Sequence, residues 1–369
     1  MNTKKILLAF IAIIGLGFTS RAQLVCPSNI DFELGDLSAW SFFTGTFTGG
    51  TPDATIPGAA IPCRHTLTKP AGLIGCTGPG GIGPLDQYGG FPVVAPGGGS
   101  YSLRLGGNVV GGLTEKARFY IPIPPGSDNY SLIYRYAVLV QNAGHTAAQM
   151  PRFIVRVFDS AATALGGGVV PVLISDTACS YFQYVAGGTL PGFMTNSTCG
   201  TCVPSSVPAT SNVQYKSWST ATVDLSGLGG TTVGIDFISS DCSPTGHFGY
   251  GYVDMSCGLF KIAAAICDTM TPPTLTAPDG FAAYNWYDSA TFSVVYGSGM
   301  SITIPFPPTP VTIAVVLTPF PGYGCPDTLY TRISPSALAL NPSNDTAICR
   351  GRSTMLESNA TDIAVPLYY

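Results

Sequence analysis

The sequence predicts an all-β protein built as successive sandwiches, on three observations. Only 10% of its 369 residues are charged, against about 25% in an ordinary soluble domain. Glycine (45) and proline (31) are abundant, while helix formers such as Glu, Lys and Gln are scarce. Several runs alternate apolar and polar residues with the two-residue period of a half-buried strand. Together they exclude long helices and favour short strands joined by turns. The formal net charge of −4 offers no basic stripe for nucleic acid. The 46% hydrophobic content argues against general disorder.

Residues 1–22 read as a signal peptide. Lys4 and Lys5 form its positive region, Ile6 to Gly17 its apolar region, and Ser20-Arg21-Ala22 the small-residue site for cleavage before Gln23. The apolar run is short for a span of roughly 20 residues, and Pro or Gly interrupts every later one, so no membrane insertion is expected after cleavage. All eleven cysteines follow the signal, and export makes disulfides their expected state.

Residues 23–260 are expected to form one jelly-roll-type β-sandwich. "RFIVRVF" places Phe153, Val155 and Val157 on one face, and "TVGIDFIS" does the same with Val233, Ile235 and Phe237. "SLIYRYAVLV" is continuously apolar, as a strand covered on both faces is. The loop Cys76 to Ser100 is too long for a simple connection, so it is either a functional surface loop or one pinned by local cross-links.

Residues 261–339 are expected to form an immunoglobulin-like sandwich, with Cys267 and Cys325 bridged beside Trp286. At residues 340–369, "NDTAIC" repeats the opening "AAAIC" of that unit and starts a second, incomplete repeat. Cys349 is then the odd cysteine, and the chain reads as part of a longer repeat protein.

In "NIDFELGDLSAW" an extended backbone would put Asp31 and Glu33 on one face. If the first strand pairs with the last, Asp254 joins them, and the three carboxylates suit a structural calcium ion, which takes roughly six to eight oxygens. The alternative is that they cap turns or accept backbone hydrogen bonds. The same pairing brings Cys26 to Cys257. The other expected bridges are Cys63–Cys76, Cys179–Cys242 and Cys199–Cys202, the last because its CxxC has neither a following helix nor a second ligand pair. Sequence does not fix connectivity.

No G-x-S-x-G, H-E-x-x-H or phosphate loop accompanies His65, His145 and His247. His247 is expected to begin a strand and hydrogen-bond a loop. No catalytic residues are assigned, and the chain is expected not to be an enzyme. Paired carboxylates for glycoside hydrolysis stay open, because such pairs converge only in three dimensions. Tyr88, Phe91, Tyr181 and Tyr184 lie in or beside loops and are candidate platforms for sugar rings, although most aromatics in a β-rich chain are core.

The combination "CPSNIDFELGDLSAW", "TVGIDFISSDCSPTGHFGYGYVDMSCG" and "AICDT…YNWY…GCPDTLY" resembles secreted surface proteins of Bacteroidota: type IX secretion cargo, including gliding-motility proteins and adhesins with PKD or immunoglobulin-like repeats. The leading unit is also similar to galactose-binding-type jelly rolls and carbohydrate-binding modules. Those open on "DFE-x-G…W", close on "YVD" and often hold calcium at that junction, which marks Asp31, Glu33 and Asp254. The Asp-Thr/Ser-apolar triplets resemble the O-glycosylation motif of that phylum, implying acceptors at Thr177, Thr269, Ser289, Thr328 and Thr346; turn chemistry is the plainer reading. The resemblance implies an extracellular, surface-attached protein that passes through a secretion machinery. Its expected partners are polysaccharide or cell-surface glycan and neighbouring subunits. A binding portion of a polysaccharide-degrading enzyme and a self-assembling filament subunit are the alternatives.

Overall fold

The computed structural model describes residues 26–76, 83–126, 130–161, 173–174, 180–190, 192–196, 213–259, 261–265, 272–278, 280–305, 307–319, 326–333, 339–342 and 358–361. Its architecture is all-β, with antiparallel sheets packed as sandwiches.

The first unit pairs two sheets. The six-stranded sheet runs β2 (Ile56–Gly58), β1 (Ser41–Thr46), β6 (Leu113–Pro122), β12 (Thr232–Ser240), β8 (Arg152–Asp159), β9 (Tyr181–Val185). The seven-stranded sheet runs β10 (Met194–Asn196), β11 (Val213–Asp224), β7 (Tyr130–Gln141), β13 (Gly249–Leu259), β5 (Ser102–Gly106), β3 (His65–Lys69), β4 (Gly72–Leu73). From β5 through β8, and again from β11 through β13, the chain crosses between the sheets with each successive strand.

Alternation puts Phe153, Val155 and Val157 of β8 and Val233, Ile235 and Phe237 of β12 into the core. There they meet Leu132, Tyr136 and Val138 of β7 and Val253 and Met255 of β13. Strand β7 is buried along nearly its whole length. Its inner face lies on the sandwich core, while Ala137 and Leu139 face a second cluster beneath the long loop before β5.

That loop is pinned. Tyr88, Phe91, Val93 and Val94 pack on Phe248, Tyr250 and Tyr252. Asp86 Oδ2 accepts the hydroxyls of Tyr250 and Tyr252 at 2.8 Å each, and Oδ1 accepts the amides of Tyr88 and Gly89. The Cys63–Cys76 disulfide fastens its beginning.

The opening segment departs from the extended strand expected of it. Asn29 (φ 58°) and Phe32 (φ 62°) lie in the left-handed region, and residues 28–35 fold as successive turns. Asn29 organises them. Its Nδ2 donates to the Ser38 carbonyl at 2.9 Å, its Oδ1 accepts the Leu34 amide, and its carbonyl accepts Trp40 Nε1 at 3.0 Å. Phe32 then stacks on Trp40 with ring centres 4.5 Å apart. The side-chain hydrogen bonds of Asn and Asp compete locally with strand pairing, so period-two reading fails here.

A second core surrounds the fully buried Trp286, whose Nε1 donates to Gly299 O at 2.8 Å. One sheet runs β14 (Ala263–Ala265), β15 (Thr274–Thr276), β18 (Ser301–Thr303). The other runs β17 (Val295–Ser298), β16 (Ala283–Asp288), β19 (Val311–Thr318), β20 (Asp327–Ile333). Beyond them β21 (Ala339–Pro342) pairs with β22 (Ser358–Thr361).

Candidate functional site

The outer face of the six-stranded sheet carries a continuous row of charge. Register places Arg118 of β6, Asp236 of β12, Arg156 of β8 and Tyr181 of β9 side by side. Adjacent strands lie about 4.8 Å apart, so their side chains touch in sequence across the sheet. Asp236 is fully buried beneath two guanidiniums. Arg118 Nε donates to Oδ1 at 2.5 Å and its Nη2 to Oδ2 at 2.8 Å, while Arg156 Nε reaches Oδ2 at 2.8 Å. Asp53, on the loop after β1, continues the network to Lys116 at 2.8 Å and Arg156 at 3.1 Å.

Aromatic rings flank this row. Lys116 Nζ lies 4.4 Å from the Phe43 ring, and Arg118 lies 4.7 Å from Phe158 and 5.8 Å from Tyr120. Phe158 lies across the strand at Gly234, where any added methyl would overlap its ring. Tyr120 remains 44% exposed and Tyr181 38%. Burial works against the Arg118 charge, but its hydrogen bonds to Asp236 and that carboxylate's field outweigh it and hold the guanidinium above its usual range. For Lys116 burial prevails over Asp236 and Asp53, and its ammonium sits below the usual range. The guanidiniums are spent on Asp236 and Asp53, so the surface this row leaves to solvent is that of Tyr120 and Tyr181.

Three of the four aromatics expected to be platforms are core residues instead. Tyr88 and Phe91 are buried beneath the long loop. Tyr184 is buried, donates to Gln214 and Gly188, and has Phe193 stacked on it. A ring enclosed on both faces has no surface for a sugar. Tyr181 is exposed and borders the charged row.

At the junction of the unit's two ends, Cys26 is bonded to Cys257. Asp254 approaches the glycine turn at Gly98 and Glu33 approaches it at Gly99, while Asp31 acts on Asp254 through its charge, and the three do not close into a compact set of ligand atoms. Glu33 Oε1 accepts the amides of Ser100 and Tyr101 at 2.7 and 2.9 Å. Asp31 Oδ1 accepts the Glu33 amide. Asp254 is fully buried; its Oδ2 takes Ser102 Oγ at 3.3 Å, and its Oδ1 has no partner. Burial first, with Asp31 adding its negative charge, pushes the Asp254 carboxyl up to about 8 against the pull of Arg135. An orphaned buried carboxylate oxygen beside a second carboxylate fits a hard cation such as calcium. Glu33 fits better as the anchor of the glycine turn.

A polar cleft of about 190 Å³ at one end of the sandwich holds Arg64, Glu115 and Asp241. Both carboxylates are occupied structurally. Arg64 grips Glu115 at 2.6 Å, and Asp241 accepts the amides of Leu113 and Gly249 at 3.0 and 3.3 Å.

Cys242 requires a correction: it is a buried free thiol, not half of a bridge to Cys179. The β12–β13 connection, which crosses from one sheet to the other, turns it inward. Its amide donates to His247 O at 2.9 Å, the Thr245 amide donates to its carbonyl, and the His247 amide donates to its Sγ at 3.2 Å. Cys179, Cys199, Cys202, Cys267, Cys325 and Cys349 lie outside the described residues, as do Thr177, Thr269 and Thr346. Ser289 and Thr328 are half-buried beside β16 and on β20.

The charged row escaped sequence reading, although a signal existed. Asp236 occupies an outward position in the otherwise apolar "TVGIDFIS", as Arg118 and Arg156 do in their strands.

No protein-family model matches the chain, and no curated protein matches it. Solved structures give weak similarity. A carbohydrate-binding module in complex with beta-1,4-galactotriose is 10% identical over 63% of this chain and 97% of its own, with a TM-score of 0.26. The adhesin domain of Epf from Streptococcus pyogenes is 8% identical over 72% of this chain and 90% of its own, with a TM-score of 0.16. The b-glucuronidase from Ruminococcus gnavus is 7% identical over 82% of this chain and 46% of its own, with a TM-score of 0.17.

Proposed function

We propose that the first sandwich is a non-enzymatic polysaccharide-contact module of an exported surface adhesin, stacking sugar rings on Tyr120 and Tyr181, the exposed aromatics of the six-stranded sheet. The row Arg118–Asp236–Arg156–Tyr181, bordered by Tyr120, carries this reading. The nearly buried Arg118–Asp236–Arg156 network ties the strands together beside the exposed Tyr120 and Tyr181, so little ordering cost falls on binding. Two disulfides are consistent with an extracellular protein. The second sandwich then serves as a stalk. Calcium is proposed at the junction of the chain ends, held by Asp254 and Asp31, where it would lock the opening turns against the last strand.

The test is binding of the full chain to a panel of purified polysaccharides, compared with Tyr120→Ala and Tyr181→Ala. Loss of binding in the variants, with melting unchanged, is the expected result. Undiminished binding by both, or by neither the variants nor the parent chain, sinks the sheet-face reading. Release of sugars by the chain would favour the enzyme alternative.

A second reading, self-association, rests on the exposed Phe292, Val294 and Val295 at and before the edge strand β17. An apolar sheet edge is a template for pairing with another copy. Concentration-dependent sizing of the purified chain tests it.

A further inference from the structure

His145, Cys242 and His247 each offer one ligand atom, and these atoms all lie within 4.8 Å of one another. No other group of three such residues gathers this closely among the described residues. Two loops at one end of the first sandwich supply them: the β12–β13 connection and the segment after β7. Backbone hydrogen bonds join the loops. The Ser243 amide donates to Gln149 O at 3.0 Å, and the Gln141 amide donates to Phe248 O at 3.0 Å. Cys242 is fully buried and unbridged. His145 Nε2 is buried with no hydrogen-bond partner, and its ring centre lies 5.1 Å from that of His247.

We propose that this cluster is a transition-metal site of the zinc class, with the His145 and His247 imidazoles and the Cys242 thiolate as protein ligands and water in the fourth position. Zinc binds thiolate sulfur at about 2.3 Å and imidazole nitrogen at about 2.0–2.1 Å, so a tetrahedral ion holds the two roughly 3.5 Å apart. Cys242 Sγ lies 3.4 Å from His247 Nδ1. His145 is half-buried on its loop, with a ligand nitrogen within 4.8 Å of both other ligand atoms.

The donors also decide the metal. Thiolate and imidazole favour zinc-like ions over calcium and magnesium, which prefer oxygen. The site is therefore chemically distinct from the carboxylates around Asp254. Binding replaces the thiol proton with the metal, and that proton passes to solvent. A nucleophilic Cys–His pair is the weaker reading, because the thiol is inaccessible and burial pushes its pKa up. The bound ion would clamp the loop after β7 to the β12–β13 connection at this end of the sandwich.

The experiment uses the metal-stripped full chain titrated with Zn²⁺ and, as a visible probe, Co²⁺. The expected result is one ion per chain, a thiolate-to-cobalt charge-transfer band and a raised melting temperature. Cys242→Ser loses the band, and His145→Ala loses saturable binding. The His145 variant keeps the test valid if substitution of the buried cysteine unfolds the protein. Failure of the chain to take up either metal, an undiminished cobalt band in His145→Ala, or recovery of Cys242 in a disulfide-linked peptide would each overturn the assignment.

Discussion

Arg118 grips Asp236 through both carboxylate oxygens, at 2.5 and 2.8 Å, across neighbouring strands on the outer side of the six-stranded sheet. Arg156 takes the same carboxylate from the other side at 2.8 Å. Removing the shared acceptor leaves Arg118 without a carboxylate and Arg156 with Asp53 alone, and each guanidinium is at most 15% exposed. Asp236→Ala should therefore cost about 3–5 kcal/mol in denaturant melts. Tyr120→Ala, at an exposed position, should stay within about 0.5 kcal/mol of the parent. That contrast separates the residue that builds the face from the residue proposed to use it. Equal losses in the two variants would contradict it.

The Cys26–Cys257 bond joins residues 231 positions apart. Chain-entropy reasoning assigns a loop of this length about 5 kcal/mol, acting mainly by restricting the unfolded chain. The double variant Cys26→Ser/Cys257→Ser should fold to the same sheet content by circular dichroism but unfold at distinctly lower denaturant. An unchanged midpoint would show that the turns around Asn29 already fix the chain's beginning without the bond.

His65 ties the two sheets together. Its Nδ1 accepts the Ile61 amide, its Nε2 donates to Phe43 O on the opposite sheet, and Phe42 packs against its ring. Acceptance at Nδ1 requires the neutral ring, whereas donation from Nε2 survives protonation. Burial, reinforced by the Arg64 charge and opposed by the Phe43 hydrogen bond, lowers its pKa to about 4. The unfolded chain takes up this proton near pH 6.5, so the stabilisation is complete above that value and is lost as pH falls through about 4. The full loss is about 3 kcal/mol at about 1.36 kcal/mol per pKa unit. His65→Gln should flatten this part of the acid limb in pH-dependent melts; an identical limb would exclude His65 as its source.

Period-two alternation made β8 and β12 legible, because each buries one face against a single core. Strand β7 was legible as doubly covered from its unbroken apolar run, though the sequence did not say that Tyr88 and Phe91 were the cover. Those aromatics sit in a long glycine-rich segment that resembles a surface loop until Asp86 is seen holding Tyr250 and Tyr252. The turns at Asn29 and Phe32 were hidden for a local reason: side-chain hydrogen bonds to the backbone leave no period in the sequence. Arg118, Asp236 and Arg156 lie more than thirty residues apart along the chain, and only strand register places them together. The same holds for His145 beside Cys242 and His247.

Asp254 gives a test of the proposed calcium in which two variants must change order. Without calcium, its carboxyl is buried, lacks a partner for Oδ1 and has its pKa pushed up to about 8, so the charged form costs stability. Asp254→Asn removes the cost of keeping that buried carboxyl protonated near pH 7 and should melt at or above the parent temperature in chelator. Calcium at about a hundred times its Kd should stabilise the parent by about 2.7 kcal/mol. The Asn variant cannot supply the anionic oxygen and should gain little. Glu33→Gln should keep the calcium response, because Glu33 Oε1 is engaged with the amides of Ser100 and Tyr101. Differential scanning calorimetry in chelator and in calcium reads all three proteins. A parent chain indifferent to calcium, or an Asn variant that gains as much as the parent, would remove the ion from this junction and leave the orphaned oxygen to an ordered water.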